Sequence, residues 1–559
     1  MKKIYIILIT AFYIAILTNL SFAQTPSWQW ARSAGGSGSD WAGRIATDNI
    51  GNIYCTGDYT SQTLTFGSTN LVNNSTNGNA DIFLVKYDGS GAVIWAKSFG
   101  ASNWESGNSV ATDSSGSVYL CGIFRSATLN LGSVTLTNTT SGYSDVFVAK
   151  FDSSGVLQWA KSGGGSNSES TSGIAVDGNR NVYVSGIYLS GTCIFGNDTI
   201  NNSALSFYDI FLVSYDSLGN LRWIDSEGGN KNDMVQCISI DAQANIYIGG
   251  TTYSNSFMFG SHLFGDAVNA DLFIAKYDSA GNVIWAHTES GSGYESIYGI
   301  EAQMNRCIYL TGTFTDSIHF GTSALTTAGG ADSFIAKYDT SGNPIWSQRF
   351  GGTADDNAYN VATALSTIGK LYISGEFYSS TMQVGTTTLL NGNSAARDFF
   401  IAEFDTSGNP LWGKSSGGSL HDSGASLALD LNGNVYVSGS FQSPTILFDT
   451  FTLTCIASND IFIAKLGTTL TEIQTANNNL ESTIFPNPSS GKFRINVGRV
   501  SSIMGTIEIY NLVGEKVFQS KINQINNSEI DLSKLPNGIY FLQIKSDTAI
   551  STQKIIISK

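Results

Sequence analysis

"DIFLVKYDGSGAVIWAKSFG" (Asp81–Gly100) decides the fold, because close copies of it return along the chain. "DVFVAKFDSSGVLQWAKSGG" starts at Asp145 and "DLFIAKYDSAGNVIWAHTES" at Asp271. The last copy, "DIFIAKLGTTL" from Asp460, stops before its tryptophan. The first tryptophan segment, "WQWARSAGG" at Trp28, has no such half ahead of it. Three markers hold a common register. The tryptophans are Trp30, Trp95, Trp159, Trp223, Trp285, Trp346 and Trp412. The tyrosines of "NIYCTG"-like strands are Tyr54, Tyr119, Tyr183, Tyr247, Tyr309, Tyr372 and Tyr436. The aspartates opening "D-x-F" strands are Asp81, Asp145, Asp209, Asp271, Asp332, Asp398 and Asp460. Each marker occurs seven times, at a period of roughly 64 residues, and a period of this kind points to a repeat architecture.

One period reads as four strands: "GIAVD" (Gly173–Asp177), "NVYVSGIY" (Asn181–Tyr188), a looser excursion of about twenty residues, "DIFLVSYD" (Asp209–Asp216) and "NLRWIDS" (Asn220–Ser226). In "DIFLVKYD", Phe83, Val85 and Tyr87 share one face and Ile82 and Leu84 the other. A strand apolar on both faces belongs to a sheet covered on both sides. Four-stranded sheets stacked face to face around an axis are the blades of a β-propeller. The expected fold is all-β: a seven-bladed propeller closed by an N-terminal strand, with the "WQWARS" segment supplying the outer strand that the seventh copy lacks, followed by a small C-terminal β-sandwich.

Composition narrows the function. The chain has 559 residues, 60 glycines, 7 prolines, 13% charged residues and a net charge of −15. Phosphate neutralisation needs clustered Lys and Arg, and no such run occurs, so nucleic acid is not an expected partner. "MKKIYIILITAFYIAILTNLSFAQ" has a basic start, an apolar run and a Ser21-Phe22-Ala23 cleavage pattern, the features of a signal peptide over residues 1–23. The six cysteines fall at different repeat positions and form no C-x-x-C pair.

Seven acids precede the first strand of each repeat: Asp40, Glu105, Glu169, Asp233, Glu295, Asp356 and Asp422. At a channel mouth they would form a ligand collar or a Ca²⁺ site. The alternative is that each fixes the turn of its own repeat; otherwise no cofactor is expected. The D-x-x-G turns, such as Asp88–Gly91, read as Asp side chains bonding their own backbone with Gly at positive φ. The features that break the symmetry are Trp41, Trp104, His421 with Asp422, and Asp355 with Asp356; aromatics and acids clustered at one mouth would suit a sugar. The four histidines match no metal-ligand pattern, and no nucleophile elbow or phosphate loop occurs.

The repeat, typified by "GIAVDGNRNVYVSG" (Gly173–Gly186), resembles the seven-bladed β-propeller (SBBP-like) repeat family over about 24–467. That resemblance implies a fold and no defined activity. After a polar linker (468–480), residues 481–559 resemble the type A C-terminal sorting domain of the type IX secretion system. The matching positions are Pro486-Asn487-Pro488 with Gly491, Tyr510-Asn511 with Gly514 and Val517, Leu532, Leu535, Gly538 and Tyr540, and Lys554-Ile555-Ile556. Phe485 stands where Tyr is common. This resemblance implies export, engagement of the secretion machinery, and release or attachment to surface lipopolysaccharide. The expected protein is therefore a secreted or outer-surface cargo that binds or adheres without catalysis, to an extracellular glycan or protein. An enzyme acting on extracellular polysaccharide and a scaffold without its own ligand are the alternatives.

Overall fold

The computed structural model describes residues 26–75, 77–265, 270–303, 307–363, 369–393, 395–467, 482–497, 505–511, 516–522, 528–546 and 550–559. The expected signal peptide (1–23), the linker (468–480) and the Val513-Gly514 hairpin lie outside them. The chain divides into two compact units, Met1–Thr468 and Thr469–Lys559, and the described residues contain β-strands and no helix.

The first unit contains seven four-stranded antiparallel meanders among the described residues. Their innermost strands are Asp40–Thr47, Glu105–Thr112, Glu169–Val176, Asp233–Ile240, Glu295–Gln303, Asp356–Thr363 and Asp422–Leu429. Six meanders take their four strands in chain order from one repeat, and one of them is extended by the hairpin Thr192–Phe195 with Asp198–Asn201 of the next repeat. In the sheet that holds Asp422–Leu429, the outer strand is Ser27–Ala34, paired antiparallel with Asp460–Gly467. The N-terminal segment thus occupies the position that the last copy leaves empty.

The double-sided apolar pattern has the expected consequence. Phe83, Val85 and Tyr87 pack in one cluster with Trp30, Ile461 and Ile463. Ile82 and Leu84 pack in another, with Val118, Leu120 and Phe147. Every sheet shares an apolar cluster with the next, and one more joins the sheet of Ser27–Ala34 to that of Asp40–Thr47. Backbone bonds follow the same order: Glu105 N–H donates to Ala80, Glu169 to Ser144, Asp233 to Tyr208 and Asp40 to Asn459.

The tryptophans have a sharper role than filling space. The indole N–H of Trp95 donates to the Ser153 carbonyl, Trp159 to Ser217, Trp223 to Ser279, Trp285 to Thr340, and Trp346 to Thr406. Trp30 donates likewise to Gly89, at 3.2 Å. Each acceptor belongs to a D-x-x-G turn of the neighbouring sheet. In that turn the Asp side chain accepts backbone N–H groups, as Asp88 does from Ser90 and Ala92, and the Gly has positive φ, 80° at Gly91. This Gly also lies against the indole: a Cβ on Gly219 would sit 2.8 Å from Trp159. On the second strand, Tyr54, Tyr119, Tyr183, Tyr247 and Tyr436 donate to Asp48, Asp113, Asp177, Asp241 and Asp430 of the preceding turn.

Two expectations need correction. The excursion between second and third strands is an ordered hairpin, as in Thr63–Phe66 with Thr69–Val72. Leu64 and Phe66 of this hairpin are buried, which gives the short alternating segment a face to pack. The first strand starts four residues earlier than the apolar run suggests, at Glu169 rather than Gly173, because pairing with Val182–Tyr188 carries the weakly β-forming "ESTS" segment. None of the six cysteines forms a disulfide among the described residues.

The second unit has two sheets among the described residues. One comprises Ser482–Phe485, Lys492–Val497 and Ser528–Asp531. The other comprises Gly505–Tyr510, Lys516–Ile522, Gly538–Ser546 and Ile550–Ile557. Phe493, Ile495 and Ile530 of the first share a core with Ile507, Ile509, Leu542 and Ile555 of the second.

Candidate functional site

The seven acids are the first residues of the innermost strands, and all are buried. Six are matched by a serine of the loop after the second strand. Ser61 Oγ donates to Asp40 (2.7 Å), Ser254 to Asp233 (2.9 Å), Ser379 to Asp356 (2.8 Å) and Ser443 to Asp422 (2.6 Å). Ser190 Oγ donates to Glu169, and the Ser126 backbone N–H to Glu105. The corresponding place opposite Glu295 is taken by Asp316. Burial raises every one of these carboxyls, to about 8 for Glu169 and Glu295 and about 7 for Asp233. At Glu295 the charges of Asp271 and Asp316 add to the burial effect. The third-strand aspartates are also buried, and Asp81, Asp145 and Asp398 accept backbone N–H groups from Asn74, Thr139 and Gly392.

The asymmetry lies deeper. Each innermost strand carries a β-bulge three to four residues after its acid, for example between Ala42 and Ile45 and between Ala358 and Asn360. A bulge re-aims side chains, and here all seven strands line one cavity of about 120 Å³. The residues four after the acids are Arg44, Ser109, Gly173, Cys237, Gly299, Asn360 and Ser426. Six are small or neutral, and one is a cation. Arg44 Nη1 donates to Asn360 Oδ1 at 2.9 Å, across to the sixth sheet. Among the described residues no carboxylate pairs with it; its titratable neighbours are the thiols of Cys237 and Cys121, and burial lowers its guanidinium.

Arg44 also borders a cavity of about 180 Å³ lined by Asn108, Gln236, Tyr298 and Tyr359. The two tyrosine rings meet edge to face at 5.4 Å. Tyr359 OH donates to Glu376 Oε1 at 2.6 Å, and Arg397 Nη1 to the same oxygen at 2.9 Å. Ser423 Oγ donates to the other oxygen of Glu376. The Arg397 backbone N–H reaches His421 Nδ1, and the His421 ring packs edge-on against Tyr378. A third cavity, about 490 Å³, lies toward the other ends of the strands. It is lined in part by Glu301, which burial pushes up to about 7 and which accepts from Thr363.

Of the residues singled out in the sequence, none of the seven acids borders these three cavities. Trp41 and Trp104 are exposed, Asp355 accepts the Ala331 N–H, and His421 belongs to the Arg397–Glu376 cluster. Arg44, Tyr298, Tyr359 and Asn360 lie outside the residues that the recurring markers point to. The signal was available: aligning the seven first strands on their acids leaves Arg44 as the one charged residue at a position otherwise held by small or neutral side chains.

In the second unit, Asn487 of the Pro486-Asn487-Pro488 turn bridges the last strand: its Nδ2 donates to Lys554 O, and its Oδ1 accepts from Ile556 N. Gly491, at φ 103°, sits where a Cβ would strike the Ser533 backbone. Tyr540 OH donates to the Pro536 carbonyl. Gly514 lies outside the described residues.

Residues 483–558 match the family model of the secretion system C-terminal sorting domain. This tail indicates an exported protein, secreted or held at the cell surface. An uncharacterised WD repeat-containing protein of Acanthamoeba polyphaga mimivirus is 23% identical over 75% of this chain and 36% of its own length. The regulatory protein FlaEY of Caulobacter vibrioides is 23% identical over 61% of this chain and 37% of its own. The chain thus spans little more than a third of these curated relatives. Among solved structures, the Neurospora crassa Pan2 WD40 domain is 10% identical, with a TM-score of 0.37 and coverage of 78% of this chain and 97% of that one. Sqt1 from Chaetomium thermophilum is also 10% identical, at a TM-score of 0.38, covering 74% and 97%.

Proposed function

We propose that residues 24–467 form a closed seven-bladed β-propeller of SBBP-like repeats, exported behind a signal peptide, that binds an extracellular ligand without chemical turnover. Ring closure is supported by counting: seven sheets in a row would share six apolar interfaces, and seven clusters join them. The observation that carries the binding reading is the asymmetric cavity system around Arg44. Six of the seven inward positions hold small or neutral residues, and Arg44 breaks that pattern. One cation flanked by an aromatic pair is instead the composition of a recognition site, mostly neutral with a few convergent polar groups. The neighbouring carboxylate, Glu376, accepts hydrogen bonds from Tyr359, Arg397 and Ser423. The sorting domain delivers this site to the outer surface, where glycans and surface proteins are the available ligands.

The test is a glycan-array and polysaccharide-turnover screen of the purified full chain, with and without calcium. Binding without product supports the reading, and release of product overturns it. A calcium requirement would assign the buried acids a cation.

A further inference from the structure

The cavity chemistry allows the ligand class to be narrowed; this inference rests on the binding reading above. Three features converge on Arg44. It stands at the junction of two cavities, the inner one bounded by Ser109, Ser426 and Cys237 and the outer one by Tyr298 and Tyr359. Its one hydrogen bond among the described residues goes to a neutral amide oxygen. Among the described residues no carboxylate neutralises it, although the chain carries a net charge of −15. A guanidinium is a planar fork that matches a carboxylate with two parallel bonds. A half-buried guanidinium with no carboxylate partner among the described residues therefore has N–H donors left for an anion from solution.

We infer that Arg44 is the receptor for a monoanionic carboxylate borne on a compact polar ring, a uronic acid, whose ring lies in the outer cavity beside Tyr298 and Tyr359. The charge balance selects a monoanion: one cation meets one carboxylate. A phosphate or sulfate dianion would need a second cation, and the cavity lining supplies none. The ring is selected by the aromatic pair, whose faces pack against sugar C–H groups, and by Asn108 and Gln236, which suit ring hydroxyls.

The experiment titrates the purified full chain calorimetrically, at constant ionic strength, with glucuronate, an oligouronide, glucose, acetate and inorganic phosphate. Arg44→Gln removes the cation. Asn360→Asp leaves the cation in place and supplies it with an internal carboxylate. Expected is saturable binding of glucuronate that weakens at least about tenfold in both variants, as for a lost charge-assisted pair, with glucose and phosphate inert. The oligouronide arm decides whether the source is a chain end or a free sugar acid. Acetate binding as well as glucuronate would remove the ring from the proposal. Equal binding of phosphate, or glucuronate binding unchanged in Arg44→Gln, overturns it. So does loss of thermal stability in Arg44→Gln with no ligand bound by wild type, which would make Arg44 a strut to Asn360. Glycan binding on the array that both variants retain would leave the binding reading standing and this inference refuted.

Discussion

Replacing Trp30 by alanine tests the seam between the first and last segments. Trp30 is 6% exposed and packs against Tyr436, Ile461 and Ile463. Burying a side chain of about 150–250 Å² at about 25 cal/mol per Å² is worth roughly 4–6 kcal/mol. The indole bond to Gly89 adds about 1 kcal/mol. Relaxation around the cavity brings the expected loss to about 3–5 kcal/mol. For a unit of about 440 residues, with an unfolding entropy near 0.9 kcal/mol/K, this is a fall in Tm of about 3–5 °C. Trp159→Ala is the internal control: it is 8% exposed and makes the same bond, to Ser217 at 3.2 Å. Differential scanning calorimetry of both variants should give falls equal to within about 1 °C. Deleting 24–34 should cost more, since it bares the edge of Asp460–Gly467 and two apolar faces. A full effect at Trp159 with none at Trp30 would refute the reasoning, because the seam would then carry no load.

Gly219→Ala places a methyl at φ 82° and 2.8 Å from the Trp159 indole; it should cost more than about 1 kcal/mol in urea unfolding, and Gly178→Ala, with open space around it, should not. Glu295 holds its proton more tightly folded (about 8) than unfolded (4.5); its contribution to stability is full below the unfolded value and fades as pH rises through the folded one. Glu295→Gln should therefore match wild type at pH 4 and be the more stable at pH 9, and parallel unfolding curves at both pH values would count against this. Asn487→Ala removes both bonds to the final strand; it should destabilise the sorting domain by about 1–3 kcal/mol and lower the exported fraction on immunoblots, and unchanged export would separate the motif from this seat.

The strands were legible wherever side chains alternate between two apolar environments. Phe83 and Ile82 could be assigned to opposite faces because each face of a covered sheet must be filled. The tail-first repeat was legible as a strand exchange because Trp30 and Asp460 carry complementary halves of one unit. The cavity was not legible by the same means. The bulge at Ala42–Ile45 breaks the alternation where the chain turns Arg44 inward, so a period of two assigns that stretch to neither face. The acids drew attention by recurring, yet recurrence is what a hydrogen bond such as Asp40 to Ser61 produces when every copy needs it. The serine was visible in the sequence, but its hairpin was not, because four-residue strands such as Thr63–Phe66 are too short for periodicity to separate from loop.

The pairing of Ser27–Ala34 with Asp460–Gly467 imposes an order of events on synthesis. A strand ahead of the repeats must wait for the seventh of them: 421 residues separate Trp28 from Asp449, to whose carboxylate its backbone N–H is bonded. Contacts so distant along the chain form late and slowly. Until Asp460–Gly467 is made, Ser27–Ala34 has no edge to join. The other six meanders each draw on one repeat and can form without it, so this pairing comes last.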